Sequence, residues 1–253
     1  MNFKKLFIFL LIIFFLALLS VYYQSLKTNF KNLVENKKIN YEFEKAFVIR
    51  VIDGDTIEVK NDNGKYEVRL LGINTPEKGN PYYQDAKEFL KEIENKSIEL
   101  ARDKEDTDKY KRKLRYVFYN GRFINIEILE KGLATTFMIE NLVYEKKFRY
   151  AENFSMKNEI GLWEKSKEKC SECIKLKEIN PKEEFFVLEN ICSFECSLDG
   201  WIVKDNANHF FKLDKMNSYE TKRYDSKNNV WNDDHDRFFL RDKNGKLVIF
   251  KEY

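Results

Sequence analysis

Apolar and polar positions alternate through FVIRVIDGDTIEVKNDNGKYEVRLLGINTPE, residues 47–77. Val48, Val51 and Ile52, then Ile57 and Val59, then Val68, Leu70 and Leu71 predict three short strands. Asp53-Gly54 and Asn63-Gly64 separate these runs as tight-hairpin signals, and Pro76 stops the third strand. The period then changes: Ala86, Phe89, Leu90 and Ile93 recur at helical spacing across 82–95. Residues 97–101 and 114–119 alternate as two more strands. Residues 125–131 predict a short helix stopped by Gly132, and 142–160 a longer one with Val143, Phe148, Ala151 and Phe154 inward. Five strands with helices at their ends predict a mainly β fold with α, a five-stranded OB-type barrel.

Either side of that block the pattern differs. Residues 6–23 are apolar all round and follow Lys4 and Lys5. A run of that length, with no small-x-small motif after it, predicts a signal anchor over 1–23, with a cleaved signal peptide as the alternative. Both readings put the rest of the chain outside the cytoplasm, tethered to the membrane or secreted. Residues 24–45 are polar and rich in Lys and Asn, a linker ahead of a domain at 46–166. Beyond a Cys-containing linker at 167–183, short alternating strands with an Asn244-Gly245 turn predict an all-β, immunoglobulin-like sandwich over 184–253. Trp201 is expected in its core, and His209 and His235 as lone surface histidines.

Composition alters this picture little. With 34% charged and 43% hydrophobic residues the chain can build packed cores. The formal net charge is only +3, so attraction for a polyanion has to come from local patches. The densest is Lys109, Lys111, Arg112, Lys113 and Arg115, a candidate track for a nucleic-acid backbone. Cys170 and Cys173, then Cys192 and Cys196, form a C-x2-C…C-x3-C set. An extracytoplasmic compartment favours two disulfides, while the spacing equally suits a four-thiolate zinc site.

The two hairpins carry Asp55, Arg69, Asn74, Thr75 and Glu77 towards one end of one sheet. Asp55 with the oxygens of Asn74 and Thr75 suits a hard divalent cation such as calcium. Arg69 can grip a phosphate with its planar fork, and Glu77 is placed to act as general base on a water. That set points to phosphodiester hydrolysis.

These residues carry a resemblance. IDGDT, the RLLG strand and the TPE turn, then T-D-K-Y-K-R-K-L at 107–114, G-L-A at 132–134 and G-L-W at 161–163, resemble the staphylococcal nuclease (thermonuclease) family in its order. The resemblance implies a calcium-dependent endonuclease acting on DNA and RNA, with Asp55 and Thr75 as calcium ligands, Glu77 as base, and Arg69 and Arg112 as phosphate clamps. Lys109 and Tyr110 fall where the family contacts the substrate's phosphate. Asn74 departs from the pattern, standing where well-known relatives carry a second aspartate ligand; the lost negative charge implies a weaker hold on calcium.

A second resemblance covers the last part of the chain. FFVLEN at 185–190, SLDGWIVKD at 197–205 and the closing segment 231–248 resemble the lamin tail domain, which implies an attachment or interaction module for an unnamed partner. A monomeric, sequence-nonspecific nuclease is the leading expectation. The competing ones are a non-catalytic nucleic-acid binder built on the same barrel, and a surface protein in which the tail domain does the main work.

Overall fold

The computed structural model describes residues 43–138, 142–207, 209–226 and 230–253. The expected membrane segment at 1–23 lies outside them, as does most of the expected linker. Among the described residues no helix is long and apolar enough to cross a membrane.

A closed five-stranded barrel with three helices forms the first half. Its strands are β1 (Glu44–Asp53), β2 (Thr56–Asn61), β3 (Gly64–Leu70), a two-residue β4 (Ile73–Asn74), β5 (Ser97–Ala101), β6 (Lys113–Tyr119), and the short β7 (Arg122–Phe123) and β8 (Thr135–Thr136). The first strand begins inside the expected linker, at Glu44. Strands β3, β2, β1, β5 and β6 lie side by side, and a parallel β3–β6 pairing closes the circle. Val48, Ile57, Val59, Val68 and Leu70 point inward, as the alternation requires. Helix α1 (Tyr83–Lys91) buries Ala86 and Leu90, and α2 (Ile124–Glu130) buries Ile128 and Leu129. In α3 (Glu145–Lys157) Phe148 and Ala151 face the core as expected. Val143 and Phe154 do not; both are exposed. The helix starts at Glu145, so Val143 precedes it, and the buried face runs through Glu152 and Ser155.

All-β sheets follow. Strands β9 (Ile174–Asn180), β10 (Phe185–Asn190) and β13 (Thr221–Asp225) form one sheet in the order β13-β10-β9; β11 (Ile202–Lys204), β12 (Phe210–Lys212), β14 (Arg237–Arg241) and β15 (Leu247–Glu252) form a second, in the order β12-β11-β14-β15. Phe186, Leu188, Trp201, Val203, Met216, Phe238 and Leu240 pack together as their core. Two expectations change here. Strand β9 occupies the stretch expected to be linker, because its apolar positions pair with β10 and complete that sheet. The four cysteines form the disulfides Cys170–Cys196 and Cys173–Cys192, which leaves no thiolate for the zinc alternative.

The two expected domains, 46–166 and 184–253, fold together in one compact unit running from Glu42 to Tyr253. Trp163, at the end of the barrel half, is buried against Phe239, Leu247 and Phe250. Arg241 donates to the carbonyls of Leu162 and Gly245. Gly245, at φ 79°, lies where an added Cβ would sit 2.4 Å from the Pro81 ring, so the closing hairpin touches the barrel through a residue that must be glycine. The strongest link is a buried ion pair. Arg237 of β14 donates to Glu152 Oε1 at 2.8 Å and Oε2 at 2.9 Å and to the Thr136 hydroxyl at 3.0 Å. Glu152 also accepts from the backbone N–H and hydroxyl of Thr136, each at 2.7 Å.

Both side chains of that pair are about 5% exposed, so removing Arg237 leaves the Glu152 carboxylate buried with only the Thr136 donors and no opposite charge within the pair. Arg237→Met is therefore expected to lower stability by about 3–5 kcal/mol in urea unfolding. Combining it with Glu152→Gln should recover much of the loss. A single variant as stable as the parent would mean that the pair does not hold the seam.

Candidate active site

Two ladders build the site. Thr56 opens β2 opposite Arg69 of β3, and the parallel closure sets Arg69 opposite Leu114 of β6. Three strand ends therefore meet at one rim of the barrel, and Arg112 enters that rim just ahead of β6. The β1–β2 turn at Gly54-Asp55 faces the same place. A Cβ on Gly54 would lie 2.8 Å from the Thr75 hydroxyl and from the Ala86 Cβ, so glycine lets Thr75 approach Asp55.

Asp55 is buried, and its carboxylate organises the rim. Oδ2 accepts from the Thr75 backbone N–H at 3.1 Å and hydroxyl at 2.9 Å, and Arg69 Nη2 lies 3.1 Å away. Oδ1 accepts from the Thr56 hydroxyl at 3.0 Å. Arg69 also donates to Asn74 Oδ1 at 3.3 Å and to the Leu70 carbonyl at 2.9 Å. On the far side Arg112 holds Asp108 at 2.7 Å and reaches the Thr56 hydroxyl at 3.3 Å. Asp108 in turn accepts the backbone N–H groups of Tyr110 and Arg112, which folds the 107–112 loop over the rim. Partial burial pushes the Asp108 carboxyl up, yet Arg112 and these amides hold it below the usual range. Burial raises the Asp53 carboxyl, with the Asp55 charge adding to the effect.

Asp55, Arg69, Asn74, Glu77, Lys109, Tyr110 and Arg112 line one cleft of about 610 Å³. Thr75 lies beneath it, bonded to Asp55. Sequence reasoning thus brought together residues that the fold does bring together, and the cysteines stand apart in their disulfides. Tyr110 is largely exposed, its ring flanked by Lys109 and Arg112. The lining carries five carboxylates (Asp53, Asp55, Glu77, Glu105 and Asp108) against three cations, Arg69, Lys109 and Arg112. Unaided, such a cleft repels a polyanion. Asp55, Asn74 and Thr75 contribute oxygen donors only, and among the described residues no three His, Cys, Asp or Glu side chains converge to cage an ion. That donor set fits a hard cation that keeps part of its water shell and completes its coordination with a substrate phosphate.

Four residues around the site were missed from sequence: Lys204 at the end of β11, and Asn206, Ala207 and His209 in the loop after it. Asn74 Nδ2 donates to the Asn206 carbonyl at 3.3 Å, so the loop after β11 touches the rim. His209 and Ala207 from that loop line the cleft. Its ring, read as a lone surface histidine, is held by Asp205 four residues earlier; that spacing is the only signal the sequence offered. Lys204 adjoins Asn74 and Pro76 at a small neighbouring cavity. It is partly exposed as a residue, yet burial pushes its ammonium down to about 7. The Arg241 charge adds to that, while Asp205, Glu77 and Asp236 oppose it.

With the geometry in place, comparison with known proteins defines the class. Residues 67–165 match the family described as staphylococcal nuclease homologue. The chain is 36% identical over 124 residues to the thermonuclease of Staphylococcus hyicus, spanning 46% of this chain and 73% of that protein. It is 36% identical over 130 residues to the thermonuclease of Staphylococcus intermedius, spanning 48% and 77%. It is also 38% identical over 127 residues to endonuclease YncB of Bacillus subtilis, spanning 46% and 60%. The chain belongs to the staphylococcal nuclease family, and its class is that of a nucleic-acid hydrolase. The match ends at residue 165, so Lys204, Asp205 and His209 lie beyond the part the family model describes.

Lys204 supplies a pH test of this packing. Its folded value of about 7 is below the ordinary 10.5, so unfolding takes up a proton between those two values and stability rises with pH across that window. Lys204→Met is expected to be more stable than the parent near pH 7, with the advantage shrinking towards pH 10 in urea unfolding. An advantage that stays constant would place Lys204 in water.

Proposed function

We propose that the chain is a calcium-dependent endonuclease that hydrolyses phosphodiester bonds of DNA and RNA outside the cytoplasm with little sequence preference. One observation carries this reading: two arginines held by separate carboxylates, and Glu77, face a single cleft at the rim where the barrel closes. Glu77 accepts a proton from the attacking water as general base. Arg69 and Arg112 contact non-bridging phosphate oxygens, and their ties to Asp55 and Asp108 fix both guanidinium groups before charge develops, so little reorganisation is left for the reaction itself. Water attacks phosphorus, the bond to the 5′ oxygen breaks and that oxygen takes up a proton from solvent, which leaves a 3′-phosphate and a 5′-hydroxyl. Asp55, Asn74 and the Thr75 carbonyl would hold calcium, which when bound polarises a phosphoryl oxygen and offsets the acidic lining. Contacts of this kind read the backbone rather than the bases, hence the low sequence preference. Lys109 and Tyr110 border the path of the strand.

The two disulfides support an oxidising compartment, reached through the N-terminal segment as anchor or signal. For the sheets beyond residue 167 the lamin-tail resemblance supports an attachment role towards a partner not yet identified. The chain is expected to act as a monomer.

Cutting of single- and double-stranded DNA by the full chain, in calcium or in chelator, tests the activity. Glu77→Ser is expected to lower the rate by about 10²- to 10⁴-fold while leaving DNA binding in place. Binding without any cutting at saturating calcium would shift the reading to a non-catalytic nucleic-acid binder. Asn74→Asp restores a ligand charge and is expected to lower the half-activating calcium concentration. Identical calcium titrations for the two proteins would mean that residue 74 does not contact the ion.

A further inference from the structure

The loop between β11 and β12 is built at a cost that its position in the sheet does not explain. The side chain of Asp205 is fully buried. Its carboxylate accepts the backbone N–H of His209 and faces the ring Nδ1, both at 2.7 Å. Taking a carboxylate out of water needs strong partners, and among the described residues two bonds to it come from one half-exposed histidine. The loop is tied down on two further sides. The Asn206 N–H donates to Asp236 at 3.2 Å, beside the Arg237 that grips Glu152, and the Asn206 carbonyl accepts from Asn74. A surface turn needs none of this to reverse the chain. What the ties accomplish is to hold the His209 ring in the wall of the cleft that contains Arg69 and Arg112.

With Asp205 engaging Nδ1, the ring is fixed in orientation and Nε2 remains for a ligand. We propose that His209, oriented by Asp205, is a third contact for the phosphate backbone of the nucleic-acid strand, so that the C-terminal sheets supply one wall of the substrate site. The proposal rests on the nuclease reading given above. His209 donates from Nε2 to a phosphate oxygen one or more nucleotides from the scissile bond. It binds substrate and takes no proton from the attacking water, which is the task of Glu77. Asp205 is a positioning residue that acts through the ring. A strand seated in the cleft is thus held between the arginines on the barrel and the imidazole on the second sheet.

The chain has two histidines, so imidazole nitrogen NMR can test this directly. The other, His235, bonds to the Tyr253 carbonyl and is not part of the cleft lining. The full chain is titrated in calcium with a short single-stranded phosphorothioate DNA, which resists turnover. The His209 resonances, assigned through His209→Ala, are expected to move with saturation while those of His235 stay in place. By fluorescence anisotropy in the same buffer, His209→Ala should bind the DNA about tenfold more weakly, the size of one charge-assisted hydrogen bond. His209→Lys, which restores a donor, should regain part of that loss. In calcium, His209→Ala is expected to raise KM and leave kcat within about twofold, unlike Glu77→Ser. Wild type that binds DNA with the His209 signals unmoved, or His209→Ala with unchanged affinity, overturns the proposal. So does weaker binding in His209→Ala with no His209 shift in the parent, since that pattern means the ring only orders its loop. Failure of the nuclease reading looks different: the wild type itself neither cuts nor binds, and this contact falls with it.

Discussion

Glu152 and Arg237 meet where water has been excluded, and much of the rest follows from that constraint. Burying either charge without the other is costly, so helix α3 and strand β14, far apart in sequence, are drawn together. The Thr136 amide and hydroxyl share the same carboxylate, which fixes β8. Strand β8 pairs with β4, setting Thr135 opposite Asn74. A line of obligatory partners therefore runs from the second sheet to the rim of the cleft. The sheets beyond residue 167 are not an appendage that could be trimmed without consequence, because their removal also uncovers Trp163 and takes away the partner of Glu152.

The cleft shows a second tension. The arginines that the proposed reaction assigns to phosphate are each already engaged by a carboxylate. These ties hold the guanidinium groups still and keep long, flexible side chains from sampling useless positions. They also leave the lining acidic, so a polyanion needs a cation to enter with it. Positioning of the arginines and the proposed need for a metal are thus two results of one charge arrangement.

How much of this was legible in the sequence depended on the range of the interaction. Hairpin chemistry at Asp53-Gly54 and alternation around Val48, Ile57 and Val68 act between near neighbours, and the barrel followed from them. Asp55, Arg69, Asn74 and Glu77 sit near the ends of paired strands, so their convergence followed as well. The parallel closure that brings Arg112 to Arg69 was reached through resemblance rather than periodicity. The seam left no periodic mark. Nothing in the sequence sets Arg237 and Glu152 apart from other charged residues, and Val143 and Phe154 were expected inward because the apolar stripe of α3 is interrupted by a buried glutamate. His209 was set aside because a partner four residues away in a loop looks like chance until the fold buries that partner. Strand β9 was missed because its alternation is diluted with lysines on an edge of the sheet.

Asn74 looks at first like a weakened ligand, an aspartate that has lost its charge. Its surroundings suggest another description. The amide accepts from Arg69 on one side and donates to the Asn206 carbonyl on the other, and a carboxylate can do only the first. An aspartate at 74 would turn one attractive contact into a confrontation between lone pairs. Residue 74 and the 205–209 loop are therefore expected to change together in evolution: a relative whose barrel stands alone is free to keep the acid, whereas one that closes its cleft with a second sheet has a use for the amide.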